Sequence, residues 1–284
     1  MQVLSINSHV CYGHVGAQAS LLPLQRLGHD VHHVPTVLLS NHPGYGGLGG
    51  GPVKLIRFDD LIDNMIARGF VDHCAALHTG YLGQAGTEAG VLRVLARLRA
   101  QRPEALYLCD PVIGDNERIY VPAEVATAIR TRLLPVADVV TPNRFELELL
   151  TDQTVDSLET AIAACHRLRQ LGPDKVVCTG AATVDGSLTM LALDASGVYV
   201  VTVPYLAGAP VGTGDAFAAT LLARLLLDCP FPDAVALAAA TVHGLIRHSL
   251  DAGTGELAVV AGQEEIVNPS TRLSVSRLDA AQAV

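Results

Sequence analysis

The 284-residue sequence has no tryptophan and only two lysines, Lys54 and Lys175, against seventeen arginines. Neither lysine closes a Gly-x-x-x-x-Gly-Lys-Ser/Thr loop, which excludes a Walker-type nucleotide site. Any ATP handled here needs Mg²⁺, backbone N–H groups and arginine to neutralise its phosphates. No apolar run approaches the ~18 residues of a membrane span, and no charged-then-apolar leader opens the chain. The expectation is a soluble, unexported, cytoplasmic protein with no membrane partner. A net charge of −9 argues against a nucleic-acid face. The six cysteines form no Cys-x-x-Cys pair. They read as buried free thiols in a reducing compartment, neither a zinc site nor a disulfide frame. The eleven histidines give no ligand spacing, and His29, His32 and His33 are expected at solvent or a subunit contact.

What is present is alternation. The short apolar run Val3–Ile6 and the segments Asp30–Leu39, Cys74–Thr79, Ala105–Cys109, Ala137–Val140 and Lys175–Thr179 read as strands. Helical patterns separate most of them: Gly16–Leu27, Asp59–Arg68, Gly86–Gln101, Pro122–Leu134 and Ser157–Leu171. In the third, Leu92, Leu95 and Leu98 are expected to share one face. Strand–helix alternation predicts a mostly parallel sheet covered on both faces. Leu188–Leu193 and Val198–Val203 flank Ala195-Ser196-Gly197 and read as a hairpin, so the sheet ends antiparallel. Two apolar helices, Ala216–Leu227 and Asp233–Ser249, complete the core. Ser40–Pro52, with six glycines, reads as a flexible flap, Gly114–Arg118 as a mobile lid, and the tail from Asn268 as weakly patterned. No linker separates two cores, so residues 1–284 are expected to form one domain.

The chemistry concentrates where strands end. Gly212-Thr213-Gly214-Asp215 opens the apolar run from Ala216. Its glycines admit a ligand to the backbone, and a helix N-terminus offers N–H groups to an anion. Asp215 would then be a carboxylate inside an anion hole. An ordinary cap, with Thr213 or Asp215 capping, accounts for the same four residues. Asp110-Pro111 puts a carboxylate at a buried strand end, placed for metal or substrate, or serving as a turn aspartate. Asn143 and Glu146 share one helical face and suit a hydrated Mg²⁺. By pattern alone a capping box explains them better. Ser8 is a ligand contact or a turn hydroxyl.

Six segments occur in one order: Ser8-His9-Val10 with Gly13 to Gly16, Ser40-Asn41-His42-Pro43-Gly44-Tyr45, Thr79-Gly80-Tyr81, Cys109 to Asp115, Thr141 to Glu146, and Gly212 to Asp215. Together they resemble the pyridoxal kinases of the ribokinase superfamily, over Val3 to about Ser249. The resemblance implies a ribokinase-like three-layer α/β/α sandwich with a mostly parallel central sheet and antiparallel additions. It implies transfer of the ATP γ-phosphoryl group to the 5′-hydroxyl of pyridoxal, with pyridoxine and pyridoxamine as further substrates. Asp215 matches the family's base, and Gly212, Thr213 and Gly214 its anion hole. Asp110, Asn143 and Glu146 match positions that organise Mg²⁺, mostly through water. Asp110, Thr141, Glu146 and Thr179 match ATP contacts. Ser8, Val15, His42, Pro43, Gly44, Tyr81 and Tyr120 match positions around the pyridine ring. Potassium-type monovalent activation and a homodimer are family traits. Pro43 stands where the family usually has threonine, the lid Asp115–Tyr120 is short, and Gly46–Gly51 replaces a bulkier segment. A hydroxymethylpyrimidine kinase of the same superfamily and a non-catalytic vitamin B6 carrier are the alternatives.

Overall fold

The computed structural model describes residues 1–278. Twelve strands alternate with nine α-helices among them. The strands are β1 (Gln2–Val10), β2 (Asp30–Leu39), β3 (Gly50–Pro52), β4 (Cys74–Thr79), β5 (Leu106–Cys109), β6 (Gly114–Asp115), β7 (Arg118–Ile119), β8 (Val139–Val140), β9 (Lys175–Val184), β10 (Ser187–Asp194), β11 (Gly197–Pro204) and β12 (Val275–Arg277). The helices are α1 (Ala17–Arg26), α2 (Leu55–Ala67), α3 (Thr87–Gln101), α4 (Ala123–Ala128), α5 (Arg144–Thr151), α6 (Leu158–Arg169), α7 (Thr213–Leu226), α8 (Phe231–Asp251) and α9 (Glu264–Val267).

Ten strands form one sheet in the order β12-β11-β10-β9-β8-β5-β4-β1-β2-β3. From β2 to β9 the neighbours run parallel, and β3, β10, β11 and β12 add antiparallel edges. The central strands are apolar on both faces, as a sheet covered twice requires. Leu4, Leu77, Cys109, Val140 and Val176 point into a core shared with α2 to α6. Val3, Ala76, Leu108, Val139 and Val177 point into the other, against α1, α7 and α8. The result is the three-layer α/β/α arrangement that the alternation predicts. The small β6–β7 hairpin stands apart from the sheet.

Topology places the site. β1 has β2 on one side and β4 on the other, so the strand order reverses there, and the crevice opens beyond the carboxyl ends of β1 and β4. Pairing of β1 with β4 stops at Ile6 and Thr79, while β1 continues along β2 with a bulge between Asn7 and His9. That releases Asn7 and Ser8 from the ladder on the side facing β4.

Several elements depart from expectation. β1 runs to Val10, because β2 supplies partners beyond Ile6. β9 continues through Gly180 to Val184, held by β10. The helix expected over Pro122–Leu134 breaks into α4, a π turn at Ile129–Leu133 and a 3₁₀ turn at Leu134–Val136. On α3, Val91, Val94, Leu95 and Leu98 face the core and Leu92 is only half-buried. The tail is not unpatterned: β12 pairs with β11. The flap is ordered by a 3₁₀ turn at Pro43–Tyr45 and by β3. His29 is buried and bonded to the Ala223 carbonyl, and His33, half-buried, bonds the Ser5 carbonyl, so neither is the solvent histidine expected. Four thiols are buried, but Cys11 is exposed and Cys229 half-buried. Among the described residues no helix is long and apolar enough to cross a membrane.

Candidate active site

α7 begins without a side-chain cap. Gly212 occupies the cap position at φ 91°, and no side chain bonds the first turn. Thr213 and Asp215 therefore do not cap, and the first N–H groups of the helix have no intrahelical partner. Only glycine fits at 212, because a Cβ there would collide with the His14 carbonyl oxygen. The Asp215 carboxylate instead turns towards β1. Its Oδ1 accepts from Asn7 Nδ2 at 3.0 Å, and its Oδ2 accepts from the Gly16 N–H at 2.8 Å. Burial raises its pKa above the ordinary 3.8, with those two hydrogen bonds opposing. A raised pKa makes it a stronger base than its place at a helix N-terminus alone would allow.

Asn7 is the site residue that sequence reasoning missed. It is fully buried, and its Oδ1 accepts from the N–H groups of Ser8 (2.7 Å) and Tyr81 (2.9 Å). Gly80 makes this possible, since a Cβ there would lie 2.6 Å from the Asn7 amide. One amide thus ties Asp215 to Ser8 and Tyr81. Ser8 is buried, and its Oγ lies where a Gly16 side chain would be. Tyr81 Oη reaches the carbonyl of the exposed Tyr120 at 3.5 Å.

A second group converges from β5, β8 and α5. Asp110 Oδ1 accepts from Thr141 Oγ1 at 2.7 Å. Asn143 and Glu146 do form a capping box, with Asn143 Oδ1 accepting from Glu146 N at 2.8 Å and Glu146 Oε2 from Asn143 N at 3.0 Å. The cap is only part of their work. Glu146 Oε1 accepts from the N–H groups of Ile113 (2.9 Å) and Gly114 (3.3 Å), and Asn143 Nδ2 donates to the Gly114 carbonyl at 2.8 Å. The pair fastens the β6–β7 lid. Burial raises Glu146 to about 7 against those hydrogen bonds. Asp110 is raised well above the carboxylate range, first by burial, then by the charges of Glu146 and Asp215. Three carboxyl groups therefore share one buried region, where burial and mutual repulsion oppose ionising all of them at once without a cation.

Beside them lies a cavity of about 310 Å³. Its lining divides into polar groups, among them Asp115, Asn143, Thr179, Thr213 and His243, and apolar ones, among them Leu188, Met190, Phe217, Val242 and Ile246. A flat base with a polar tail fits that division. Thr179 is set by its N–H, which donates to the Pro142 carbonyl at 2.9 Å.

The flap carries three further candidates. His42 is half-buried, and its Nδ1 accepts from the Gly44 N–H at 3.1 Å. Pro43 and Gly44 are exposed in the 3₁₀ turn. Val15 is half-buried where α1 begins, one residue before the Gly16 N–H that binds Asp215.

A family model described as Phosphomethylpyrimidine kinase matches residues 58–260. The chain is 38% identical to Pyridoxal kinase PdxY of Rubrobacter xylanophilus, covering 98% of each chain. It is 39% identical to Pyridoxal kinase PdxY of Deinococcus radiodurans, covering 98% of this chain and 96% of that one. The solved pyridoxal kinase from Leishmania donovani, in complex with ADP and pyridoxine, superposes with a TM-score of 0.92 at 35% identity, covering 98% of this chain and 99% of that one. Pyridoxal kinase from Trypanosoma brucei gives 0.88 at 33% over the same shares. With that likeness running nearly the length of the chain, the chain belongs to the pyridoxal kinases, within the phosphomethylpyrimidine kinase family.

Proposed function

We propose that this protein transfers the γ-phosphoryl group of ATP to the 5′-hydroxyl of pyridoxal, and of pyridoxine and pyridoxamine, making the 5′-phosphate in vitamin B6 salvage. The observation that carries the reading is the Asp215 carboxylate, held by Asn7 and Gly16 at an uncapped helix end whose Thr213 and Gly214 line the 310 Å³ cavity. Relatives solved with ADP and with pyridoxine or pyridoxamine support the choice of substrates.

In this reading Asp215 accepts the proton of the attacking hydroxyl. The N–H groups of Thr213, Gly214 and Asp215 meet the charge that develops on the transferred group, without reorganising at the moment of reaction. Phosphoryl transfer is loose, so positioning and charge neutralisation carry most of it. Ser8, Val15, His42, Pro43, Gly44, Tyr81 and Tyr120 surround the pyridine ring. The lid fastened by Asn143 and Glu146 excludes water. Thr141 and Thr179 face the nucleotide.

Asp110, Asn143 and Glu146 fit Mg²⁺ through water. All are oxygen donors, and the raised Asp110 and Glu146 carboxyls mark a place where a cation relieves repulsion. Among the described residues no three acidic, histidine or cysteine side chains are placed to hold a metal alone. Glu146 already accepts three N–H bonds. Mg²⁺ would neutralise the phosphates it arrives with. K⁺ activation, a homodimer, a cytoplasmic setting and a single kinase domain over residues 1–284 complete the reading by family resemblance.

The test is ADP release with Mg·ATP and K⁺, offering pyridoxal, pyridoxine, pyridoxamine and hydroxymethylpyrimidine separately. Turnover with pyridoxal is expected. Turnover with hydroxymethylpyrimidine alone would move the substrate, and pyridoxal binding without ADP release would replace the enzyme with a carrier.

A further inference from the structure

One buried carboxylate outside the phosphoryl-transfer machinery touches the loops around the site. Glu256 follows α8 in an irregular segment, yet its side chain is only 11% exposed. Its backbone is pinned on both sides. Glu256 N donates to Thr254 Oγ1 at 3.2 Å, Ala258 N donates to Ser249 Oγ at 2.9 Å, and Leu257 is fully buried. Among the described residues no arginine or lysine pairs with it. A carboxylate taken out of water this way needs hydrogen bonds to persist.

Those bonds come from two separate loops. Oε2 accepts from the His14 N–H at 2.6 Å. Oε1 accepts from the Tyr45 hydroxyl and lies 3.5 Å from His42 Nε2. Because His42 Nδ1 accepts the Gly44 N–H, the neutral ring carries its proton on Nε2, the nitrogen that faces Glu256. Donation to Glu256 also pushes the Tyr45 hydroxyl up to about 12, so it stays a donor at neutral pH. Room for the carboxylate is made by Gly13, at φ 95°, where a Cβ would sit 2.7 Å from both oxygens.

The flap has its own internal bonds, Ser40 with Gly49 and Asn41 with Gly47. Its side-chain hydrogen bond to the rest of the molecule, among the described residues, runs from Tyr45 to Glu256, and His42 Nε2 approaches the same oxygen. The same carboxylate holds His14, two residues before the Gly16 N–H that fixes Asp215. We propose that Glu256 is a positioning residue that latches the His42–Tyr45 flap over the substrate side of the site and so sets capture of the B6 ring. This rests on the reading of His42, Pro43 and Gly44 as substrate-side residues.

The split between Glu256→Gln and Tyr45→Phe tests it. Glutamine still accepts from the His14 N–H but weakens the flap bonds, and Tyr45→Phe removes one flap bond while leaving the carboxylate in place. Both are expected to raise the pyridoxal KM about five- to twentyfold, with kcat and the ATP KM within about twofold. In the double variant the KM rise should be less than the product of the single rises. Equal pyridoxal KM values in wild type and Tyr45→Phe would overturn the latch, as would kcat and both KM values deteriorating together in Glu256→Gln. Absence of pyridoxal turnover in the wild type would instead overturn the substrate reading on which the latch rests.

Discussion

Asp215 and Glu256 are both carboxylates without a lysine or arginine partner among the described residues, and each is held by hydrogen bonds from distant segments. They are held by different kinds of structure. Asp215 stands in the first turn of a fourteen-residue apolar helix, and its partners sit at the bulge of a central strand and the start of α1. Glu256 stands in an irregular segment and grips two loops, one of them largely exposed. Rigid elements set the phosphoryl-transfer end, where a small misplacement of a reacting group is costly. Loops set the substrate end, where a flap has to admit and release a ring. Variants at the first end should therefore act on kcat and variants at the second on KM.

Apart from removal of the base itself, the largest departure is expected at Gly212→Ala. A Cβ would strike the His14 carbonyl at a φ that side chains rarely adopt, displacing the start of α7. Loss of aligned N–H groups should cost about 10²–10³ in kcat with pyridoxal, read by steady-state ADP release. A near-normal kcat would break the contrast at its rigid end. Asp110→Asn should follow, weakening the Mg²⁺ dependence of turnover about 10–100-fold, read from Mg²⁺ titrations at fixed ATP.

Glu146 sharpens the contrast through pH. The folded chain holds its proton up to about 7, whereas the ordinary value is 4.5. Between these values the folded state binds more protons than the unfolded one, so stability is lost as pH rises through the window, by about 3 kcal/mol in all. His33 and His78, pushed down to about 4 chiefly by burial, act in the opposite sense, adding stability as pH rises from 4 to 6.5. The two slopes overlap, so the measurement is the difference in unfolding free energy between wild type and Glu146→Gln without nucleotide or metal. That difference should move against the wild type from pH 5 to 7.5, and a flat difference would deny Glu146 its raised pKa. The smallest effect is expected at Pro43→Thr. Pro43 is exposed in the flap turn, and restoring the family's usual threonine should change the pyridoxal KM less than about threefold.

The same contrast separates what the sequence discloses from what it hides. Cys74–Thr79 is bounded correctly because it is a mostly apolar run cut by turn residues, and Asp30–Leu39 because Gly28 and Ser40-Asn41 bracket it. Asp215 is legible because glycines and a carboxylate head a run with no other charge. Asn7 is not, since its role depends on Gly80, seventy-three residues away, lacking a side chain. Glu256 sits in no periodic segment and no motif, and its partners His14 and Tyr45 are more than 200 residues distant. β12 is hidden for a related reason, because its pairing comes wholly from β11. Local pattern reports helix ends and strand ends, whereas contacts between loops appear only when the chain is folded.

The most direct test of the account is a single-turnover measurement on Asp215→Asn. Asparagine keeps the size and one acceptor but cannot take the proton. With enzyme in excess over Mg·ATP and pyridoxal saturating, the rate of pyridoxal phosphate formation should fall about 10²–10⁴-fold, while the ATP dissociation constant stays within about twofold. An unchanged single-turnover rate would show that the proton leaves by another route and that Asp215 is not the base.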